Sequence, residues 1–293
     1  MTDSDRLDPR YRYEIPPPGV AEEERSWLPT FFIVGAPKAG TTSLHNYLGA
    51  HPEIAVSTNK EPMCFAHPDW LERISRYREL FEGSAPLRGE SSTAYSSFPW
   101  APEVPDRIHA TVPDARIVYL VRDPVARALS HYAQNVWDDL AWAPFERVLE
   151  ELEHPLNMPV WCSRYATQVE RWIARFGRDR VLIIDHRSLR EDRVPTIRRV
   201  LEFLGVDRDF SSPHWDAEHN IAEEHRLPTR LGQRVGGAEG RVLQRPLLRR
   251  ALTRRVPTPT LTERQRARLE RILAPEADRL RELTGQRFDD WSV

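Results

Sequence analysis

The sequence predicts an α/β fold: a single domain in which a central parallel sheet of about four or five strands is flanked by helices. Three observations predict it. Short apolar runs at residues 31–34, 117–121 and 181–184 are too brief for helices and suit strands buried on both faces. The first two run directly into glycine or proline and then helix-opening residues. The segments between carry apolar residues at helical spacing, and strands alternating with helices point to a parallel sheet.

Residues 1–28 are charged and contain Pro16-Pro17-Pro18, so they read as an extended arm ahead of a domain over 29–293. With 293 residues, 40% hydrophobic and 29% charged, the chain can bury a sizeable core. A net charge of −2 supplies no global field that would draw it to nucleic acid or a membrane surface. Its two cysteines, Cys64 and Cys162, form neither a disulfide framework nor a zinc spacing, which fits a reduced, cytoplasmic setting. The opening Met1-Thr2-Asp3-Ser4-Asp5 has no apolar leader segment, and no apolar run approaches a membrane span. An oligomer is left open.

The first strand, Phe31-Phe32-Ile33-Val34, breaks at Gly35, Pro37 and Gly40 into a tight loop. Thr41, Thr42 and Ser43 then open a helix that continues through Leu44, Tyr47 and Leu48. A strand, a glycine-bearing loop and a helix N-terminus form an anion site, because free backbone N–H groups and the helix dipole converge there. Lys38 adds a full positive charge. Of 42 basic residues only Lys38 and Lys60 are lysines, so lysine has been kept where a compact ammonium can matter. A Walker A loop places its lysine after the last glycine; here Lys38 precedes Gly40, so this is a different phosphate or sulfate loop.

Gly35-Ala36-Pro37-Lys38-Ala39-Gly40-Thr41-Thr42-Ser43, followed by His51-Pro52, resembles the 5′-phosphosulfate loop of sulfotransferases that use PAPS (3′-phosphoadenosine 5′-phosphosulfate). Within that family it is similar to bacterial relatives of the heparan sulfate sulfotransferases. The resemblance implies a P-loop-NTPase-like domain, with Lys38, Ala39, Gly40, Thr41, Thr42 and Ser43 binding the cofactor. It also implies that Lys38 neutralises charge on the bridging oxygen of the leaving PAP (3′-phosphoadenosine 5′-phosphate). No metal is required by this scheme.

The elements that follow carry the rest of the resemblance. Ile54-Ala55-Val56 reads as a second strand, leading to Lys60-Glu61 with Phe65 beyond. The family places a general-base glutamate at this spacing, which implies that role for Glu61, with Lys60 beside it at the substrate. On residues alone, an exposed Lys–Glu pair before a proline turn is the favoured reading, since such pairs are common surface features. Residues 68–82 show a helical apolar stripe. Gly89-Glu90-Ser91 through Tyr95 resembles a family strand, where the heparan enzymes commonly carry a lysine in place of Ser91; this leaves Glu90 as a cleft-wall or orienting residue.

Arg122-Asp123-Pro124, continuing to Arg127 and Ser130, resembles the 3′-phosphate motif R-D-P-x-x-R-x-x-S. It implies that Arg122 and Ser130 grip the 3′-phosphate, a match for arginine's planar fork. Helices are expected over 144–152, 160–176, 193–204 and 262–284, and a strand over 180–185. Asp185 stands where a nucleotide kinase places a metal-binding aspartate, the best feature of a rival phosphoryl-transfer reading. A third possibility is a non-catalytic nucleotide-binding module. Asn220 and Arg226 loosely match family positions near the substrate, residues 232–256 suit a lid, and Trp291 resembles a tryptophan that packs the tail on the core. His214, His219 and His225 match no compact metal motif.

Overall fold

Five parallel strands run through the centre in the order β2-β3-β1-β4-β5. They are β1 Phe31–Gly35, β2 Ile54–Val56, β3 Leu87–Ser91, β4 Arg116–Val121 and β5 Val181–Asp185. The structure, a computed structural model, describes residues 19–217, 226–228, 253–255 and 258–293. The arm expected over 1–28 lies mostly outside the described residues.

The central strand shows why the apolar runs have no polar alternation. Phe31, Phe32, Ile33 and Val34 are all fully buried, since helices cover both faces of a parallel sheet. The principal helices are α1 Thr41–Leu48, α2 Val104–Thr111, α3 Pro124–Trp137, α4 Tyr165–Phe176, α5 His186–Glu191, α6 Arg193–Leu204 and α7 Glu263–Thr284. Helix α1 packs on β1, β2 and β3 and against α6, which also meets β5. Helix α4 packs on β4 and β5 and is itself covered by α2 and α7. Phe31 pairs with Gly89 on β3, and a Cβ at Gly89 would lie 1.9 Å from Phe31 Cζ. The ring therefore lies across bare backbone, and only glycine fits there.

Two expected helices are broken. Residues 68–82 form a short helix, Trp70–Ile74, and a 3-10 turn, Tyr77–Leu80. Arg76 leaves helical geometry (φ −109°, ψ 12°), and Tyr77 is turned into the core, where its hydroxyl donates to Glu90. Residues 160–176 divide at Ser163, whose hydroxyl donates to the Pro124 carbonyl at 2.8 Å and accepts from Arg127 Nε at 2.7 Å. An antiparallel pair, 226–228 with 253–255, was not expected. Helix α7 opens on a capping box formed by Thr262 and Gln265, and the tail then returns to the core. Trp291 stacks on Phe288 with ring centroids 4.3 Å apart and meets Tyr165 at 5.5 Å.

Candidate active site

The carboxyl ends of β1 and β4 are neighbours, so the loop after β1 and the junction after β4 meet. Turning the chain there requires left-handed backbone at Lys38 (φ 69°) and at Gly40 (φ 95°), which caps α1. Leu44 N makes the first bond of α1, to Gly40 O at 3.1 Å; the amides of Thr41, Thr42 and Ser43 belong to the turn before it. Ala39 differs from expectation. It is wholly buried and its N–H donates to Ala36 O at 3.2 Å, so in this structure it shapes the loop from within.

The two motifs are fastened to each other. Arg122 Nη1 donates to the Lys38 carbonyl, and Arg127 Nη1 to the Pro37 carbonyl, each at 3.2 Å. Arg127 is wholly buried beneath the loop and also donates to Ser163 Oγ and the Pro159 carbonyl. Lys38 Nζ donates to Gln134 Oε1 at 2.9 Å, and Gln134 Nε2 to Asp138 Oδ2 at 2.8 Å. Burial and the nearby Arg122 charge hold the Lys38 ammonium below the usual lysine range, and burial also lowers Arg122. Ser130, Gln134 and Asp138 follow one another at four-residue spacing along the axis of α3 and beyond its end. Asp123 caps α3 through Oδ1, accepting from Ala126 N at 2.6 Å. Arg122 N donates to Tyr165 Oη, which donates back to Arg122 O at 2.7 Å.

Glu61 and Lys60 come to the same site from the loop after β2. They are not a free surface pair: the side chains are only 31% and 23% exposed, and Lys60 Nζ donates to Glu61 Oε1 at 2.5 Å. Thr93 N donates to Glu61 Oε2 at 2.6 Å, and Glu61 N to Ser91 O at 2.9 Å, with Glu61 at φ 65°. The Lys60 charge is close enough to lower both Lys38 and His45. His45 Nδ1 meets Ser91 Oγ at 2.9 Å, and burial brings its pKa down to about 4, so it is neutral at physiological pH. Glu90 is not on a cleft wall. It is fully buried, and of the two roles foreseen only the orienting one fits.

The chain matches the family described as "Sulfotransferase domain" over residues 28–280. It belongs to that family. Among curated proteins, this sulfotransferase domain is 31% identical over 213 residues to the mouse (Mus musculus) bifunctional heparan sulfate N-deacetylase/N-sulfotransferase 4, covering 64% of this chain and 23% of that protein. It is 29% identical over 273 residues to the human (Homo sapiens) heparan sulfate glucosamine 3-O-sulfotransferase 6, covering 90% and 74%. The chain thus spans under a quarter of the bifunctional relative, and 50% of the mouse 3-O-sulfotransferase 3A1. Its fold matches the crystal structure of a sulfotransferase from Alicyclobacillus acidocaldarius with TM-score 0.66 and 26% identity, over 91% of this chain and 99% of that one.

Other expectations of the sequence fall differently in this sulfotransferase domain. Asp185 caps α5, its Oδ1 accepting from Arg187 N at 3.2 Å. Asn220, His219 and His225 lie outside the described residues, as does most of the proposed lid. Arg226 begins the strand 226–228, and its side chain is likewise outside the description. Among the described residues no group of three or more His, Cys, Asp or Glu is placed to hold a metal ion, and no helix is long and apolar enough to cross a membrane. Sequence reasoning gave no role to Arg127, Gln134 or Tyr165. A signal existed for the first two: Arg127, Ser130 and Gln134 are spaced three and four apart, hence on one helix face.

Proposed function

We propose that this domain transfers the sulfuryl group of PAPS to an acceptor hydroxyl on a sugar, glycolipid or natural product, without a metal, in the cytoplasm. The observation that carries the reading is the hydrogen bond from Arg122 to the Lys38 carbonyl, which joins the two anion-binding motifs at one place. The residues fit a polyanion. Lys38, Arg122 and Arg127 donate to neutral partners, namely Gln134, Ser163, His131 and the Lys38, Pro37 and Pro159 carbonyls. Three cations held by neutral acceptors keep their charge for a ligand.

When bound, PAPS supplies a sulfuryl group on the bridging oxygen of its 5′-phosphate. In this reading the first turn of α1 and Lys38 hold the phosphosulfate, and Arg122 with Ser130 holds the 3′-phosphate. Glu61 accepts the acceptor's proton as it attacks sulfur in line, and Lys38 offsets charge on the departing oxygen, a contribution that is commonly the largest in such reactions. Lys60 holds the Glu61 carboxylate, and Asn220 and Arg226 belong to the acceptor side. The relatives are named as both N- and O-sulfotransferases, so an amine acceptor stays the alternative to a hydroxyl. The two cysteines are free and buried, which supports the cytoplasmic setting.

Calorimetric titration of PAP, ATP and ADP, with and without Mg²⁺, tests the reading on wild type and Arg122→Ala. The expected result is metal-independent PAP binding that the substitution abolishes, with ATP weak throughout. Mg²⁺-dependent ATP binding indifferent to a 3′-phosphate would overturn it in favour of a kinase.

A further inference from the structure

The turn that carries Glu61 is strained. Glu61 at φ 65° and Met63 at φ 53° are both non-glycine residues in left-handed backbone, two positions apart. Such geometry persists only where the surroundings fix it. What fixes it lies one layer deeper. Met63 N donates to Ser92 Oγ at 2.9 Å, and Phe65 N donates to Tyr95 Oη at 3.2 Å. Each hydroxyl has one proton, and each gives it to the buried Glu90: Ser92 Oγ donates to Oε1 at 2.6 Å, and Tyr95 bonds the same carboxyl. Tyr77 Oη donates to Oε2. An ionised carboxylate only accepts, so it obliges all three hydroxyls to donate inward and leaves two of them with lone pairs facing the turn.

We propose that Glu90 is a positioning residue for Glu61: its buried carboxylate orients the Ser92 and Tyr95 hydroxyls, and through them holds the Met63 and Phe65 amides and the turn that presents Glu61. This deepens the reading of Glu61 as base and rests on it for its catalytic meaning.

The arrangement is conditional on ionisation. Burial pushes the Glu90 carboxyl up to about 7, against the pull of its three hydroxyl donors. Once protonated, the carboxyl donates from one oxygen, and one of the hydroxyls facing it loses its acceptor. The neighbouring groups that burial shifts are moved away from that range. Burial raises the Tyr77 and Tyr95 phenols, and raises the Cys64 thiol to about 12. His45, bonded to the neighbouring Ser91, is held near 4. The Glu61 charge adds to the rise of Glu90, and Arg73 faces Cys64.

The test follows the backbone amide resonances of Met63 and Phe65 in the isotope-labelled full chain from pH 5.5 to 8.5. Wild type is expected to show both shifting together with a midpoint near 7. Glu90→Gln, which fixes a donor and an acceptor in place of the carboxylate, is expected to leave both flat. Ser92→Ala, which removes one link alone, is expected to silence Met63 and spare Phe65; this second variant keeps the test open if the first fails to fold. Flat wild-type amides, a response that survives Glu90→Gln, or Met63 still titrating in Ser92→Ala would each overturn the proposal. PAP calorimetry on the same samples separates the two readings. Absence of PAP binding to wild type defeats the functional reading and leaves the titration standing, whereas flat amides with PAP bound defeat only the positioning role.

Discussion

Arg127 carries its charge at a fully buried position and donates to the Pro37 and Pro159 carbonyls and to Ser163. Removing the guanidinium leaves several buried acceptors without a donor, and each such orphan costs about 1–3 kcal/mol. Arg127→Met is therefore expected to lower the thermal unfolding midpoint by several degrees; an unchanged midpoint would mean the carbonyls find other partners. Lys38 behaves differently, because it has one neutral partner and its ammonium is already disfavoured by burial. Lys38→Ala is expected to keep the fold and slow PAP release from PAPS roughly 10²–10³-fold, as loss of a charge-stabilising donor does. Lys38→Arg is not expected to restore it, since a planar fork does not replace a compact ammonium; full rescue would count against the role given to Lys38. Lys38 and Arg122 were legible in the sequence because each sits in a compact strand-to-helix motif, although the partners that hold them, Gln134 and the Lys38 carbonyl, are far away in the chain. Arg127 was not, and the orienting role of Glu90 was legible only as one of two alternatives, because what they do comes from Ser163, Pro159 and Tyr77, residues that the fold brings to them.

Among the elements, β3 tolerates least. A methyl group at Gly89 would overlap the Phe31 ring, so Gly89→Ala must move either the ring or the strand. Overpacking of this kind costs about 1–3 kcal/mol or more, and the expected outcome in denaturant titration is a fall at or above that upper end. A variant as stable as wild type would show that the Phe31 ring can turn aside. Thr262→Ala removes the cap and its half of the capping box on α7, and about 1 kcal/mol is expected from the same measurement. The strands were legible because their apolar runs are short, and α6 and α7 because their stripes are long and end on glycine. The segment 68–82 was misread because its apolar spacing is helical, while Tyr77 is drawn inward by a carboxylate on a strand that the local sequence does not reveal.

For the molecule as a whole, buried titratable groups set how stability answers to pH. Burial brings His45 and His186 down to about 4 and pushes His131 well below the usual histidine range. The unfolded chain binds protons at these sites below about pH 6.5 while the folded chain does not, so stability is lost as the pH falls from there toward 4. Glu90 acts with the opposite sign between its ordinary value and about 7, because there the folded state holds the extra proton. Three large histidine shifts outweigh one carboxyl, and the unfolding midpoint is expected to fall from pH 7 to pH 4; a midpoint that rises would overturn that balance. The strand order has a consequence for synthesis. The central strand β1 is the first of the sheet to leave the ribosome, yet its neighbours β3 and β4 are complete only at residues 91 and 121. Until residue 91 a wholly apolar strand has both edges unpaired, and until residue 121 it still has one, the condition in which nascent chains pair with each other. Chains released after residue 115, before β4 exists, are expected to aggregate or to be held by a chaperone, whereas chains that include β4 have the means to cover β1.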